Sequence, residues 1–222
     1  MDKIVLEAEN IFKSYSNGYN KLVVLNNLSL KLKRAEIITI TGESGCGKST
    51  ILNILGTLDK YEKGVLKIDS MNIKGLNDNK LSKIRNEKIG FVFQSYHLLP
   101  EFTAIENVLM PAWIKNDNQS KDRAKTIFKD LGLQNRMDHY PNQLSGGEKA
   151  RVAVIRAIIN RPKVLLADEP TGNLDKINSD KLLKLFKRIN EEYNQSIILT
   201  THNEHVANFG DRILKLENGI LI

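Results

Sequence analysis

The sequence predicts an α/β fold, and three observations predict it. Short apolar, β-branched runs recur at 37–40, 64–68, 89–93, 164–167 and 196–201, as buried strands should. Segments with helical spacing lie among them: Ile51, Leu52, Ile54 and Leu55 in one, Leu182, Leu183, Leu185, Phe186 and Ile189 in another. A glycine-rich stretch joins the strand at 37–40 to the helix that follows it.

Residues 3–40 read as mainly β. Leu28, Leu30 and Leu32 alternate with Ser29, Lys31 and Lys33, the pattern of a half-buried strand. Ser16-Asn17-Gly18 is a turn signal. Tyr15, just before it, is an aromatic suited to core or rim that is also able to stack on a purine ring.

The next stretch reads Gly42-Glu43-Ser44-Gly45-Cys46-Gly47-Lys48-Ser49-Thr50. It fits G-x-x-x-x-G-K-[ST], and its place between strand and helix is the context that makes it a phosphate site. Glycines let the backbone come close to a ligand, with N–H groups forming an anion nest. The helix start adds unsatisfied N–H groups and the positive end of its dipole. Lys48 is expected on the β- and γ-phosphates, and the Ser49 hydroxyl on Mg²⁺.

Beyond the strand at 64–68, residues 69–88 are polar, with loop and surface-helix character. The run at 89–93 ends at Gln94, whose amide oxygen can join a metal shell. Thr103 and Glu106 have capping-box spacing, and residues 95–140 read as helical. Ser145 and Glu148 repeat that spacing ahead of Val152, Ile155, Ile158 and Ile159. Gly146 and Gly147 therefore fall in a first helical turn, where poor helix formers fit close approach to an anion. Asp168 and Glu169 follow the apolar run at 164–167; adjacent carboxylates there are costly without a task. Asp168 suits Mg²⁺ and Glu169 the attacking water. The helix at 180–193 buries a leucine-rich side. The run at 196–201 ends at His202, and ligands in α/β sheets collect at such strand ends. Asn218-Gly219 signals a closing hairpin.

The bulk numbers fit this picture. The chain has 222 residues, the size of one domain, and a formal net charge of +7 from 33 basic and 26 acidic residues. The basic residues are spread along the chain, which reads as a lysine-rich solvated surface and not as a nucleic-acid arm. Cys46 is the single cysteine, so no internal disulfide exists and a reducing compartment is expected. No run approaches a membrane span, and the first ten residues lack a secretory core, so a cytoplasmic protein is expected.

These residues resemble the ATP-binding cassette (ABC) ATPases along essentially the whole chain. Gly42 to Thr50 match the Walker A loop, Gln94 the Q-loop, and Leu144 to Glu148 the family signature. Val164 to Asp168 match Walker B, with Glu169 as catalytic glutamate. Gly172 to Asp175 match the D-loop, His202 the switch histidine and Tyr15 the adenine-stacking aromatic. The resemblance implies a single domain over residues 1–222: a P-loop NTPase core, an antiparallel β subdomain, and an α-helical signature subdomain inserted at about 95–160. It implies MgATP as ligand, with Ser49, Gln94 and Asp168 at the metal and Glu169, His202 and Gln94 in catalysis. Tyr15, residues 42–50, Ser145, Gly146, Gly147, Glu148 and Asp175 are the implied nucleotide contacts. It implies a head-to-tail homodimer with ATP between one copy's Walker A and the other's signature. It also implies two integral membrane permease subunits met by the segment after Gln94, a peripheral place on the cytoplasmic face of the inner membrane, and no nucleic acid.

Residues 167–175 resemble the group holding lipoprotein-releasing, macrolide- or peptide-efflux and cell-division ATPases. Within it, residues 97–108 look most like the lipoprotein-releasing ATPases of Gram-negative bacteria. Lys149-Ala150-Arg151 stands where glutamines are frequent, and Asn203 where aspartate is usual.

Overall fold

The computed structural model describes residues 3–18 and 20–222. Met1 and Asp2, part of the N-terminal segment read above as lacking a secretory core, lie outside the described residues. The chain forms two sheets. Strands β1 (Ile4–Asn17), β2 (Asn20–Lys33), β4 (Lys63–Ile68) and β5 (Met71–Asn72) pair antiparallel in the order β2-β1-β4-β5. Strands β3 (Ile37–Thr41), β6 (Ile89–Val92), β7 (Val164–Asp168), β8 (Ser196–Thr201), β9 (Arg212–Glu217) and β10 (Ile220–Leu221) form the second, in the order β10-β9-β3-β8-β7-β6. All of these but β10 run parallel.

Successive strand residues point to opposite faces, so a sheet covered on both sides needs apolar residues throughout. Ile38, Ile40, Val164, Leu166 and Ile198 enter one core, shared with the antiparallel sheet and helix α1 (Lys48–Leu55). Ile37, Leu165, Ala167, Ile197 and Leu199 enter the other, which holds Phe128 and Phe186. This is why the central strands read as unbroken apolar runs. In β2, which has one face open, Leu28, Leu30 and Leu32 are buried and Ser29, Lys31 and Lys33 exposed.

Three helices stand between β6 and β7: α3 (Ala104–Ile114), α4 (Ser120–Asp130) and α5 (Gly146–Ile158). Residues 95–140 are thus less continuously helical than expected. The loop at 95–103 precedes α3, left-handed Asn116 ends its run, and left-handed Gly132 follows α4. Thr103 and Glu106 form the anticipated capping box. Helix α2 (Asp78–Lys88) precedes β6, which stops at Val92, one residue earlier than expected. Helix α6 (Lys176–Tyr193) starts four residues before 180 because the Asp175 carboxylate accepts the Asn178 N–H at 2.8 Å and caps it. The short α7 (Glu204–Ala207) follows β8. The Asn218-Gly219 turn, left-handed at both positions, joins β9 to β10 as expected. Among the described residues no helix is long and apolar enough to cross a membrane.

Candidate nucleotide site

The loop between β3 and α1 is shaped by its backbone. Gly47 caps α1 with φ 108, and a Cβ there would lie 2.7 Å from Val24 Cγ1. Conformation and space both demand glycine. The first intrahelical bond runs from Ile51 N–H to the Gly47 carbonyl, which leaves the N–H groups of residues 48–50 pointing out of the helix start. Glu43, Ser44, Gly45 and Ser49 are exposed, and Cys46 and Thr50 are half-buried. Lys48 is buried, and its ammonium donates to the carbonyls of Gly42 at 2.9 Å and Glu43 at 2.8 Å.

Tyr15 is exposed beside this loop. Its hydroxyl donates to Asp59 Oδ2 at 2.7 Å, and Lys13 Nζ stands 4.6 Å from its ring centroid while pairing with the same carboxylate at 2.8 Å. Burial and the Asp59 hydrogen bond raise the phenol pKa, so the ring stays neutral.

The strand ends bring in the acids. Asp168 pairs in register with Thr200, whose hydroxyl donates to Asp168 Oδ1 at 2.7 Å. Glu169 is left-handed, φ 46, a conformation costing about 1–2 kcal/mol for a side-chain-bearing residue. That turn aims its carboxylate back over the loop: Oε1 lies 3.5 Å from Lys48 Nζ, and Oε2 lies 2.5 Å from His202 Nδ1. Lys48, Glu169 and His202 form a continuous chain across the ends of β3, β7 and β8. Gln94 stands two residues beyond β6. Its carbonyl accepts Asn173 Nδ2 at 2.9 Å, and a Cβ on Gly172 would come within 2.9 Å of its side-chain nitrogen.

Ser49, Gln94 and Asp168 offer oxygen donors with a single carboxylate. No group of three or more His, Cys, Asp or Glu among the described residues could cage a metal. This donor set fits Mg²⁺, which keeps several waters and takes the rest of its shell from substrate phosphates.

The glycine-rich helix start is held by bonds within the chain. Ser145 Oγ accepts the Glu148 N–H at 3.3 Å, and Glu148 Oε2 accepts the Ser145 N–H at 2.8 Å, the expected capping box. Arg136 Nε donates to Glu148 Oε1 at 2.7 Å. The Glu148 carboxylate is thus engaged within the chain. So is that of Asp175, whose two oxygens take the Asn178 N–H and side-chain amide. Gly147 is buried, and a Cβ on it would lie 2.7 Å from Asn178 Oδ1. A side chain there would press on the Asn178 amide where α5 meets α6, a packing reason that stands beside close approach to an anion. Ser145 and Gly146 remain exposed.

Acid should loosen this cap. Burial raises the Glu148 carboxyl pKa, but the Ser145 N–H, Arg136 and the Ser145 hydroxyl outweigh it and hold the group at about 2. In the antiparallel sheet, Lys31 and Lys67 flank Glu7 across β1 at 2.6 and 2.9 Å and hold it at about 2 as well. A carboxyl depressed in the fold binds its proton more readily once unfolded. Its stabilisation is therefore full above the ordinary value of 4.5 and is lost as pH falls towards 2. Urea midpoints should fall between pH 6 and pH 3, and Glu148→Gln should show a smaller fall than the parent. Equal falls would remove Glu148 from this role.

Residues 25–172 match the family profile described as ABC transporter. This chain belongs to the ABC transporter family. Similar proteins include the lipoprotein-releasing system ATP-binding proteins LolD of Cytophaga hutchinsonii and Porphyromonas gingivalis. The first is 46% identical over 98% of this chain and 99% of its own length, the second 44% with the same coverage. Among solved structures, the dimeric bacterial ABC transporter cassette MJ0796 superposes with TM-score 0.89 at 41% identity, covering 97% of this chain and 96% of that one. A dimeric post-hydrolysis state of MJ0796, bound to ADP and Pi, superposes with TM-score 0.86 at 39% identity over the same shares.

The cassette joins Lys48, Glu169 and His202 at one loop with Tyr15 at its side, sets Asp168 on the neighbouring strand end through Thr200, and sets Gln94 against Gly172 and Asn173. It does not bring Ser145 and Gly146 to that cluster; the hydrogen bonds of this helix start run to Arg136 and within the cap. Sequence reading placed Asn173 in the D-loop without its Gln94 partner and missed Thr200, Asp59, Lys13 and Arg136, which orient the residues it named. Thr200 had one signal, a hydroxyl two residues before His202 on a strand end. The others pair across distant segments and left none.

Proposed function

We propose that this chain is the ATP-hydrolysing motor subunit of an ABC transporter that releases lipoproteins from the inner membrane. One observation carries the motor reading: the family's two nucleotide-binding faces are both present, but apart. The loop at 42–50 has Lys48, Glu169 and His202 converging on it, while Ser145 and Gly146 lie exposed on α5. A second copy turned head to tail would supply the absent face to each loop, and the dimeric form of the similar cassette MJ0796 supports that arrangement.

The residues divide the work. The outward N–H groups at the start of α1 and the glycine-rich backbone bind phosphate oxygens. Lys48 exchanges the Gly42 and Glu43 carbonyls for the β- and γ-phosphates, which its buried setting makes favourable. Glu169, released from Lys48, orients the attacking water and takes its proton. His202 holds the far oxygen of Glu169 and keeps the carboxylate aimed. Thr200 fixes one oxygen of Asp168 and leaves the other for metal. Mg²⁺, held by Ser49, Asp168 and Gln94, would neutralise charge on the phosphates. Tyr15 offers its ring to the base.

Similarity to the LolD proteins supports the lipoprotein cargo and the peripheral position on the cytoplasmic face. The segment after Gln94 is the proposed contact with two permeases; Leu99, Pro100 and Glu101 are exposed there. Cross-linking the full-length protein through position 99 in native membranes, followed by identification of the adducts, tests this. Permeases of a lipoprotein exporter are the expected adducts. A cell-division or drug-efflux permease would overturn the cargo while leaving the motor intact.

A further inference from the structure

Two features after Gln94 lie outside the nucleotide contacts proposed above. Tyr96 and His97 are consecutive left-handed residues, φ 59 and 45, and neither is glycine. Their carbonyls both meet α5, where the Arg156 guanidinium donates at 2.6 Å to Tyr96 O and at 2.6 Å to His97 O. A planar fork can hold two neighbouring acceptors at once, which a point charge cannot. Burial lowers the Arg156 pKa, yet its hydrogen-bond partners are carbonyls and not a carboxylate. A charge drawn from water in exchange for dipoles alone is a costly way to fill that space, and an apolar side chain would fill it more cheaply. The Tyr96 ring is buried in the helix-side core, and its hydroxyl has no hydrogen-bond partner among the described residues. The His97 ring meets Phe93 edge-on at 5.1 Å. At the other end of the loop, the Gln94 carbonyl is held by Asn173.

We infer that Arg156 is a positioning residue that clamps the Gln94 loop to the helix beginning at Ser145, so that movement of that helix is passed to Gln94. This rests on Gln94 being a pocket residue. Arg156 lies eleven residues after Ser145 on the same helix, about 16 Å along a rigid rod. Displacement at the exposed end therefore reaches the clamp undiminished. Without the fork, the strained pair can relax to right-handed or extended backbone and its carbonyls turn away. The loop then absorbs the movement and Gln94 loses its place.

The test compares ATP hydrolysis by the full chain carrying Arg156→Met, Arg156→Lys, Arg156→Met with His97→Gly, or Gln94→Ala. Methionine keeps much of the packing and removes the fork. It should lower kcat about tenfold or more, as misplacement of a pocket group does, with KM for ATP changed less than about twofold. Lysine, which reaches a single carbonyl, should fall between methionine and the parent. Glycine adopts φ 45 without penalty, so His97→Gly should return the methionine variant to within about threefold of parent kcat. A purely structural arginine would give a loss that tracks melting temperature and is not regained by glycine. An unchanged kcat in Arg156→Met, or a loss that His97→Gly leaves in place, overturns the clamp. If Arg156→Met does not fold, Arg156→Lys with and without His97→Gly makes the same comparison. Gln94→Ala separates the two readings. An unchanged kcat there removes Gln94 from the pocket and the clamp with it. A fall there beside an unaffected Arg156→Met removes the clamp alone.

Discussion

Replacing Glu169 with glutamine is expected to cut kcat for ATP hydrolysis at least about a hundredfold while leaving ATP bound, the loss typical of removing a general base. Glutamine has the volume of glutamate and can still accept hydrogen bonds near Lys48 and His202. It cannot take the proton of an attacking water. The strained turn at φ 46 belongs to the backbone and is kept. The variant should therefore collect as an ATP-bound dimer if, as proposed, binding closes the head-to-tail pair and hydrolysis opens it. Size-exclusion chromatography with MgATP and steady-state kinetics read the two halves of this statement. A kcat within tenfold of the parent would take the base role from Glu169.

Lys48→Met should act one step earlier, on binding. The ammonium is buried between the Gly42 and Glu43 carbonyls and Glu169, so it is desolvated and aimed before any nucleotide arrives. Charge-assisted hydrogen bonds contribute about 1.5–3 kcal/mol each, so losing those to two phosphates should weaken ATP binding about a hundredfold or more. Methionine retains most of the side-chain volume, and the melting temperature without nucleotide should move by only a few degrees. Titration with a fluorescent ATP analogue measures the loss. Affinity within fivefold of the parent would mean that Lys48 points elsewhere when phosphate is present. The two variants separate binding from chemistry: one traps ATP and the other fails to gather it.

How much of this was legible depended on how local each feature is. The phosphate loop, both capping boxes and the Asn218-Gly219 turn each lie within a few residues. Glycine at positive φ, or a Ser or Thr three residues before Glu, says nearly the whole of what the structure shows. The roles of Glu148 and Asp175 were less legible. The resemblance implies nucleotide contacts for both, and the structure adds that both carboxylates are engaged within the chain, one with Arg136 and Ser145 and the other with Asn178. Gly147 suits close approach to an anion, and in the fold it also lies against the Asn178 side chain, which a Cβ would displace. Arg136 reaches Glu148 from another segment, where spacing carries no mark, whereas the Ser145 and Asn178 bonds are three-residue caps of the kind that spacing does mark.

Hydrophobic period and backbone stereochemistry act over a few neighbouring residues, so the main strands, the glycine-rich turn at 42–50 and the acids at strand ends were readable from residue order. Only the tertiary structure decided that Thr200 would orient Asp168, that Lys48 would face Glu169, and that Arg156 would grip Tyr96 and His97. Those choices follow from strand order and helix docking. Burial drives both, and burial rewards any apolar match without recording in the chain which polar atoms it will set side by side.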